Sequence, residues 1–153
     1  MIKLILALDQ NDLLGDSKKE NGLPWYYPED LKFFRDMTIN ELNVFGRKTY
    51  EKTKIKYLKK PIVITKKNLI DENIIVCHDI EKIIKLAETE EIMVCGGKEI
   101  FELFFPYAEI IYLTRINKKF NGDVYYHLDL SDFQLVEKTT KNDLDFLTYK
   151  KIK

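Results

Sequence analysis

The stretch GLPWYYPEDLKFF, residues 22–34, sets two carboxylates, Glu29 and Asp30, among aromatic residues and prolines. Pro28 suits the first turn of a helix, where its missing N–H costs nothing, so both acids fall in that turn. A carboxylate there ordinarily faces water and answers the positive end of the helix dipole. Glu29 fits that role, with Lys32 and Asp36 on its face. Asp30 fits it poorly. Phe33 and Phe34 follow at the three- and four-residue spacings that share a helix face, and Trp25, Leu31 and Phe34 would ring it. A carboxylate in such surroundings must find a partner or accept a raised pKa. A planar ligand offering two adjacent N–H donors would satisfy it in bidentate fashion.

Three further segments read as strand ends that hold an anion. In IMVCGGKEIF, residues 92–101, an apolar run enters Gly96-Gly97 and then a helical pattern. Two residues without Cβ let backbone N–H groups approach a phosphate closely, although many α/β turns use glycine for packing alone. In VFGRKTYEK, residues 44–52, a run ends at Gly46, and Arg47, Lys48 and Thr49 open the next helix. In VITKKN, residues 63–68, a run ends in Thr65, Lys66 and Lys67. Two basic strand ends in one small α/β sheet could converge at its carboxyl edge, where ligands bind. Together these segments suit a long dinucleotide with an extra phosphate.

These groups need a scaffold, and the apolar pattern supplies one. Short runs at 2–8, 43–45, 61–65, 74–77, 92–95 and 110–114 are rich in Ile, Val and Leu and mostly do not alternate. That marks strands covered on both faces, hence a largely parallel central sheet. Helical patterns lie between them near 28–38, 48–53, 80–88 and 98–104, with Asp79 placed to cap the third. Two longer, more alternating runs, 133–140 and 145–152, flank Asn142-Asp143 and predict an antiparallel hairpin. The expectation is one α/β domain over residues 1–153 with a mixed sheet. The polar stretch 10–23, which holds Gly15 and Gly22, is long for a compact domain. It is either a binding loop or lid, or a solvated excursion.

Bulk composition removes several function classes. With 25 basic and 25 acidic side chains the formal net charge is zero, so no global field draws nucleic acid or a membrane surface. Cys77 and Cys95 stand outside any CxxC or Cys/His ligand spacing, so no metal site is expected. Both end apolar runs and read as reduced thiols, which suits a cytoplasmic setting. The opening IKLILALD is too short for a membrane span and no cleavage pattern follows, so the mature chain is expected to begin at Met1.

The segments IKLILALDQNDLLG, LPWYYPEDLKFF, VFGRKTYE, IMVCGGKEIF, IIYLTRI and NGDVYY occur in an order and at spacings that resemble the dihydrofolate reductases, across essentially the whole chain. The resemblance implies an eight-stranded, mixed but mainly parallel sheet flanked by four helices. It implies reduction of 7,8-dihydrofolate to 5,6,7,8-tetrahydrofolate by NADPH, with hydride transfer to C6 and protonation at N5, in support of one-carbon and thymidylate metabolism. Asp30 then matches the acid of the pterin pocket, Thr114 the hydroxyl that supports it, and Trp25 the residue that helps hold a water beside it. Ile5, Leu6, Ala7, Leu31, Phe34, Thr53 and Cys95 would line the folate site, Cys95 through its backbone carbonyl. The cofactor would meet Ala7, Leu14, Gly15, Gly46, Arg47, Lys48, Thr49, Thr65, Cys95, Gly96, Gly97, Lys98, Glu99 and Ile100, with Phe101 near the nicotinamide. Gly96-Gly97 matches a pair joined by a cis peptide in the family, and Lys66 or Lys67 would select the 2′-phosphate. The expected partners are small molecules only, with the chain acting as a monomer.

The chain departs from the family pattern in three places. The loop before Leu23 is a few residues longer than in the common short bacterial form. The arginine that grips the α-carboxylate of the folate glutamate is missing from KYLKKP, residues 56–61, where Lys59 is the nearest match and Lys60 the next. His127 stands where a proline is expected, and reads as a surface loop histidine. The reductase of riboflavin biosynthesis shares the fold and NADPH, but the Trp25–Asp30 element argues against it.

Overall fold

The computed structural model describes residues 1–53 and 55–152. The main sheet is built from β1 (Ile2–Asp9), β3 (Leu42–Gly46), β4 (Ile62–Ile64), β5 (Ile75–Cys77), β6 (Ile92–Val94), β7 (Ala108–Ile116), β9 (Phe133–Lys141) and β10 (Leu144–Lys151). A second, two-stranded sheet pairs β2 (Leu13–Gly15) with β8 (Val124–Tyr125). Four α-helices complete the described residues: α1 (Pro28–Thr38), α2 (Arg47–Thr53), α3 (Ile80–Leu86) and α4 (Lys98–Phe104). The spatial order of the main sheet is β5-β4-β3-β6-β1-β7-β10-β9. Every pairing from β5 to β7 is parallel, and β10 runs antiparallel to both β7 and β9.

Strand alternation divides the core in two. Leu4, Leu6 and Leu8 of β1 pack with Val44, Val94, Ile100, Phe101 and Phe104 on the face covered by α3 and α4. Ile5, Phe45, Met93 and Cys95 pack on the other face against Phe33, Phe34 and Met37 of α1. The non-alternating apolar runs are therefore strands covered on both sides. β5 departs from that expectation: it is an edge strand, and Ile75 is exposed.

Asp79 caps α3, its side chain accepting the Glu81 N–H at 3.0 Å. The C-terminal hairpin turns at Asn142, which takes a positive φ of 55°, a conformation asparagine tolerates better than most residues. The α3 helix ends at Leu86, two residues short of the sequence reading, and β7 is longer than expected at both ends. Residues 13–15 inside the polar stretch form β2, which the sequence reading left as loop. A three-residue strand paired 109 or more positions away carries too little local periodicity to be seen.

Candidate active site

The α1 helix begins at Pro28 without a side-chain cap, and both Glu29 and Asp30 lie in its first turn. Glu29 turns outward and accepts from Asn142 Nδ2 of the hairpin at 3.2 Å. Asp30 turns toward the sheet, where Thr114 of β7 donates its hydroxyl to Oδ1 at 2.8 Å. Thr114 is only 2% exposed and sits beside Ala7 of β1 in the strand register. Burial pushes the Asp30 carboxyl above its ordinary pKa, and the Thr114 hydrogen bond offsets only part of that rise. Thr114 is the only residue that hydrogen-bonds the Asp30 side chain among the described residues.

Ile5 and Cys95 of the sheet pack in one cluster with Phe34 of α1 and with Tyr50, Ile55 and Leu58 on the α2 side. Leu31, on α1, is 48% exposed. Thr53 closes α2, its hydroxyl donating to the Tyr50 carbonyl oxygen at 2.9 Å. Leu6 points to the opposite face of β1 from Ile5, so it can reach that cluster only through its backbone. Burial drives the Cys95 thiol far above its usual range, so it is neutral and no nucleophile. Trp25 packs edge-on against Phe120, with ring centroids 5.6 Å apart, in a cluster that includes Ala7 and Leu23.

A second constellation lies where β3 and β6 end. Gly46 donates its N–H to the Gly96 carbonyl oxygen at 2.7 Å, which binds the two strand ends together. The Gly96–Gly97 peptide is cis, and Gly96 has a φ of 118° that side chains rarely tolerate. A Cβ on Gly97 would fall 2.7 Å from Thr49 Oγ1 of α2, so only glycine lets the backbone come this close to that hydroxyl. Phe101 stacks on Tyr126 at 6.0 Å with planes 7° apart, and burial raises the Tyr126 phenol to about 12. Lys48 and Lys98 are exposed at the starts of α2 and α4, as is Glu99. Arg47 is not free: its Nη1 pairs with Glu51 at 2.8 Å. At the next strand ends Lys66 and Lys67 are exposed, and Thr65 Oγ1 accepts the Lys67 N–H at 3.1 Å. His78, after β5, contacts the Thr65 carbonyl oxygen through Nδ1 at 2.6 Å.

The polar stretch forms a strap tied at several points. Asp9 is fully buried, and its carboxylate accepts from the backbone N–H groups of Asn11, Leu13 and Phe120 at 2.8–2.9 Å. Ser17 donates both its N–H, at 2.8 Å, and its hydroxyl to Asp123 beyond the second sheet. On the other side Lys52 of α2 donates to the Ser17 carbonyl oxygen at 2.9 Å. Gly15 is so close to Gly22 that a Cβ would meet the Gly22 carbonyl oxygen at 2.7 Å. His127 is exposed, in keeping with its reading as a surface histidine, but it also contacts Asp12 Oδ2 through Nδ1 at 3.0 Å.

The sequence reading missed His78, Tyr126, Lys52 and Asp123 as neighbours of these groups. His78 carried a usable signal, since it ends an apolar run beside a basic strand end. Asp123 and Ser17 are 106 positions apart, and nothing local links them. No group of His, Cys, Asp or Glu among the described residues could hold a metal ion.

Comparison with known proteins bears on this geometry. Residues 1–151 match the dihydrofolate reductase family model. A dihydrofolate reductase of Enterococcus faecium is 37% identical over 139 residues, 86% of this chain and 81% of its own. That of Bacillus subtilis is 33% identical over 162 residues, 99% of this chain and 95% of its own. Among solved structures, Enterococcus faecalis dihydrofolate reductase complexed with NADP(H) and RAB-propyl superposes with a TM-score of 0.88. It is 28% identical and covers 100% of this chain and 97% of that one.

Proposed function

The chain belongs to the dihydrofolate reductase family, and from that premise we propose that the Asp30 carboxylate is the group around which its reaction is organised. The reaction is the NADPH-dependent reduction of 7,8-dihydrofolate to 5,6,7,8-tetrahydrofolate. The observation that carries the role of Asp30 is its position: a desolvated acid on α1 whose side chain, among the described residues, bonds only the Thr114 hydroxyl.

In this reading Asp30 accepts hydrogen bonds from the pterin 2-amino group and N3, the paired donors its surroundings lack. Thr114 holds Oδ1 in place. The charge of Asp30 favours the pterin protonated at N5, with the proton delivered by a water that Trp25 helps to hold. Ile5, Ala7, Leu31, Phe34 and Thr53 close around the substrate, with the backbone of Leu6 and Cys95 at its edge, and exclude bulk water. Support for these roles is that Ile5, Phe34 and Cys95 pack in one cluster between α1 and the α2 side of the sheet.

The residues at the strand ends fit a dinucleotide. The Gly96–Gly97 backbone lies so close to the Thr49 hydroxyl that a Cβ on Gly97 would clash with it, so backbone N–H and hydroxyl stand side by side as donors. Arg47, Lys48 and Thr49, with the N–H groups near Gly46 and those of Lys98, Glu99 and Ile100, would take the bridging phosphates. Arg47 would share its guanidinium with Glu51 to do so. Thr65, Lys66 and Lys67 would take the 2′-phosphate, with His78 joining them. Ala7, Leu14, Gly15, Cys95 and Phe101 would border the nicotinamide. When bound, NADPH supplies the hydride; the protein aligns the two rings and keeps water out. In this reading the chain acts as a monomer on small molecules. The balanced charge supports the lack of a nucleic-acid partner, and two free thiols support a cytoplasmic setting. No helix of the described residues is long and apolar enough to cross a membrane.

The test is to follow NADPH absorbance with dihydrofolate for the wild type and for Asp30→Asn. Near-normal turnover by the variant at neutral pH would remove Asp30 from the mechanism.

A further inference from the structure

A separate hollow of about 230 Å³ lies along α1, between that helix and the last three strands of the main sheet, β7, β10 and β9. None of its lining residues is among those assigned above to substrate or cofactor. Antiparallel register builds its floor. Tyr112 of β7 stands opposite Thr148 of β10, which stands opposite Glu137 of β9. Two residues along the same face, Thr114 opposes Phe146, which opposes Thr139. Phe33 and Met37 of α1, one helical turn apart, form the wall. The Phe33 and Phe146 rings meet at 4.7 Å with planes 41° apart.

The lining joins aromatic rings to a carboxylate. Phe33, Tyr112 and Phe146 present rings, whose faces attract cations. Glu137 is exposed on the edge strand β9 and makes no ion pair among the described residues. The hydroxyls of Thr139 and Thr148 are likewise uncommitted among the described residues. At Tyr112 burial does most to raise the phenol pKa; Glu41, Glu91 and Glu137 push the same way, and only Lys3 opposes them. Lys3 is already paired with Glu41 and Glu91. The surplus charge at this hollow is therefore negative. It would repel an anion, and a neutral guest would leave Glu137 unanswered. Sites for drug-sized ligands run to about 300–1,000 Å³, so this one suits a single ring with a short arm.

We propose that the hollow is a binding site for a small organic cation, an aromatic ring carrying a primary ammonium on a short chain. The ring lies among Phe33, Tyr112 and Phe146. The ammonium reaches Glu137, and the Thr139 and Thr148 hydroxyl oxygens accept its remaining protons. A mere packing gap beside α1 would take small apolar molecules without regard to charge, whereas this site selects by charge.

Phenethylamine, 2-phenylethanol and phenylacetate share a ring and a chain length and differ in charge. Each is titrated into the full chain and followed by NMR through the Met37 methyl signal. Phenethylamine should bind saturably and about tenfold more tightly than the alcohol, the combined scale of a cation–π contact and an exposed ion pair. Phenylacetate should not bind. Glu137→Gln should cut the preference for the amine about threefold, the ion-pair share. Thr139→Phe, at an exposed strand position where an aromatic residue is well tolerated, should block the amine by filling the hollow. Circular dichroism checks that both variants fold. Asp30→Asn should bind the amine as the wild type does; loss of binding there would put the amine on the acid of the reaction site and overturn the proposal. Absence of saturation, equal affinity for all three compounds, or a preference untouched by Glu137→Gln also overturns it.

Discussion

At the scale of single residues, Asp30 carries a stability penalty from its burial. Burial raises its pKa in the fold, so the folded state binds a proton more tightly than the unfolded chain does. Stability then falls as pH rises from the unfolded value near 3.9 through the raised folded value, and stays lowered above it. The neutral isostere Asp30→Asn escapes this. Its ligand-free form should melt higher than the wild type at neutral pH, and the gap should close below about pH 4. Thermal melts of both proteins across pH check this; a wild type that melts higher at pH 7 contradicts it. The same substitution should cut turnover on the order of a hundredfold or more, the scale of acid–base assistance. Stability gained with activity lost is the trade expected of a site built for its ligand.

At the scale of elements, the carboxyl ends of parallel strands bring distant segments together. Lys66 and Lys67 follow β4, and neither has an ion-pair partner among the described residues. Replacing both by Ala should reduce the preference for NADPH over NADH by about tenfold, since hydrogen bonds to a charged group are worth about 1.5–3 kcal/mol. Steady-state kinetics with each cofactor measure it; an unchanged ratio would pass the role to Arg47, Lys48 or His78. The strap over the site is held from both sides, by Asp123 and by Lys52. Lys52→Met removes one tie, an exposed charged hydrogen bond worth about 1 kcal/mol or less. Single-turnover hydride transfer should slow two- to fivefold and cofactor release should quicken, by stopped flow. Identical rates would mean that Asp123 alone holds the strap.

At the scale of the whole molecule, the proposed substrate pocket and cofactor cradle draw on the same paired strands, β1 and β6. NADPH at about a hundred times its Kd should add about 2.7 kcal/mol to stability, and melting temperature should climb with its concentration. NADH at equal concentration should do less, because it lacks the 2′-phosphate that the proposal assigns to Lys66 and Lys67. A melting temperature indifferent to both nucleotides would count against the cradle. Lys3 works at the far end of the same sheet. Burial would lower its pKa, but Glu41, aided by Glu91, raises it instead. A buried charge is thus satisfied away from the chemistry.

The sheet, its helices, the hairpin and Asp30 itself were legible in the chain because each is written locally. Apolar runs, a proline at a helix start, and glycines at strand ends act through neighbours in sequence. The two-stranded sheet, the Ser17–Asp123 tie and the Thr114 hydroxyl on Asp30 were decided by tertiary structure. Thr114 came into view only by resemblance, since 84 residues separate it from its partner. Periodicity reports which face of an element is buried; it carries no distance between elements. Which acid meets which donor depends on strand order and register, and those emerge only when the whole core closes.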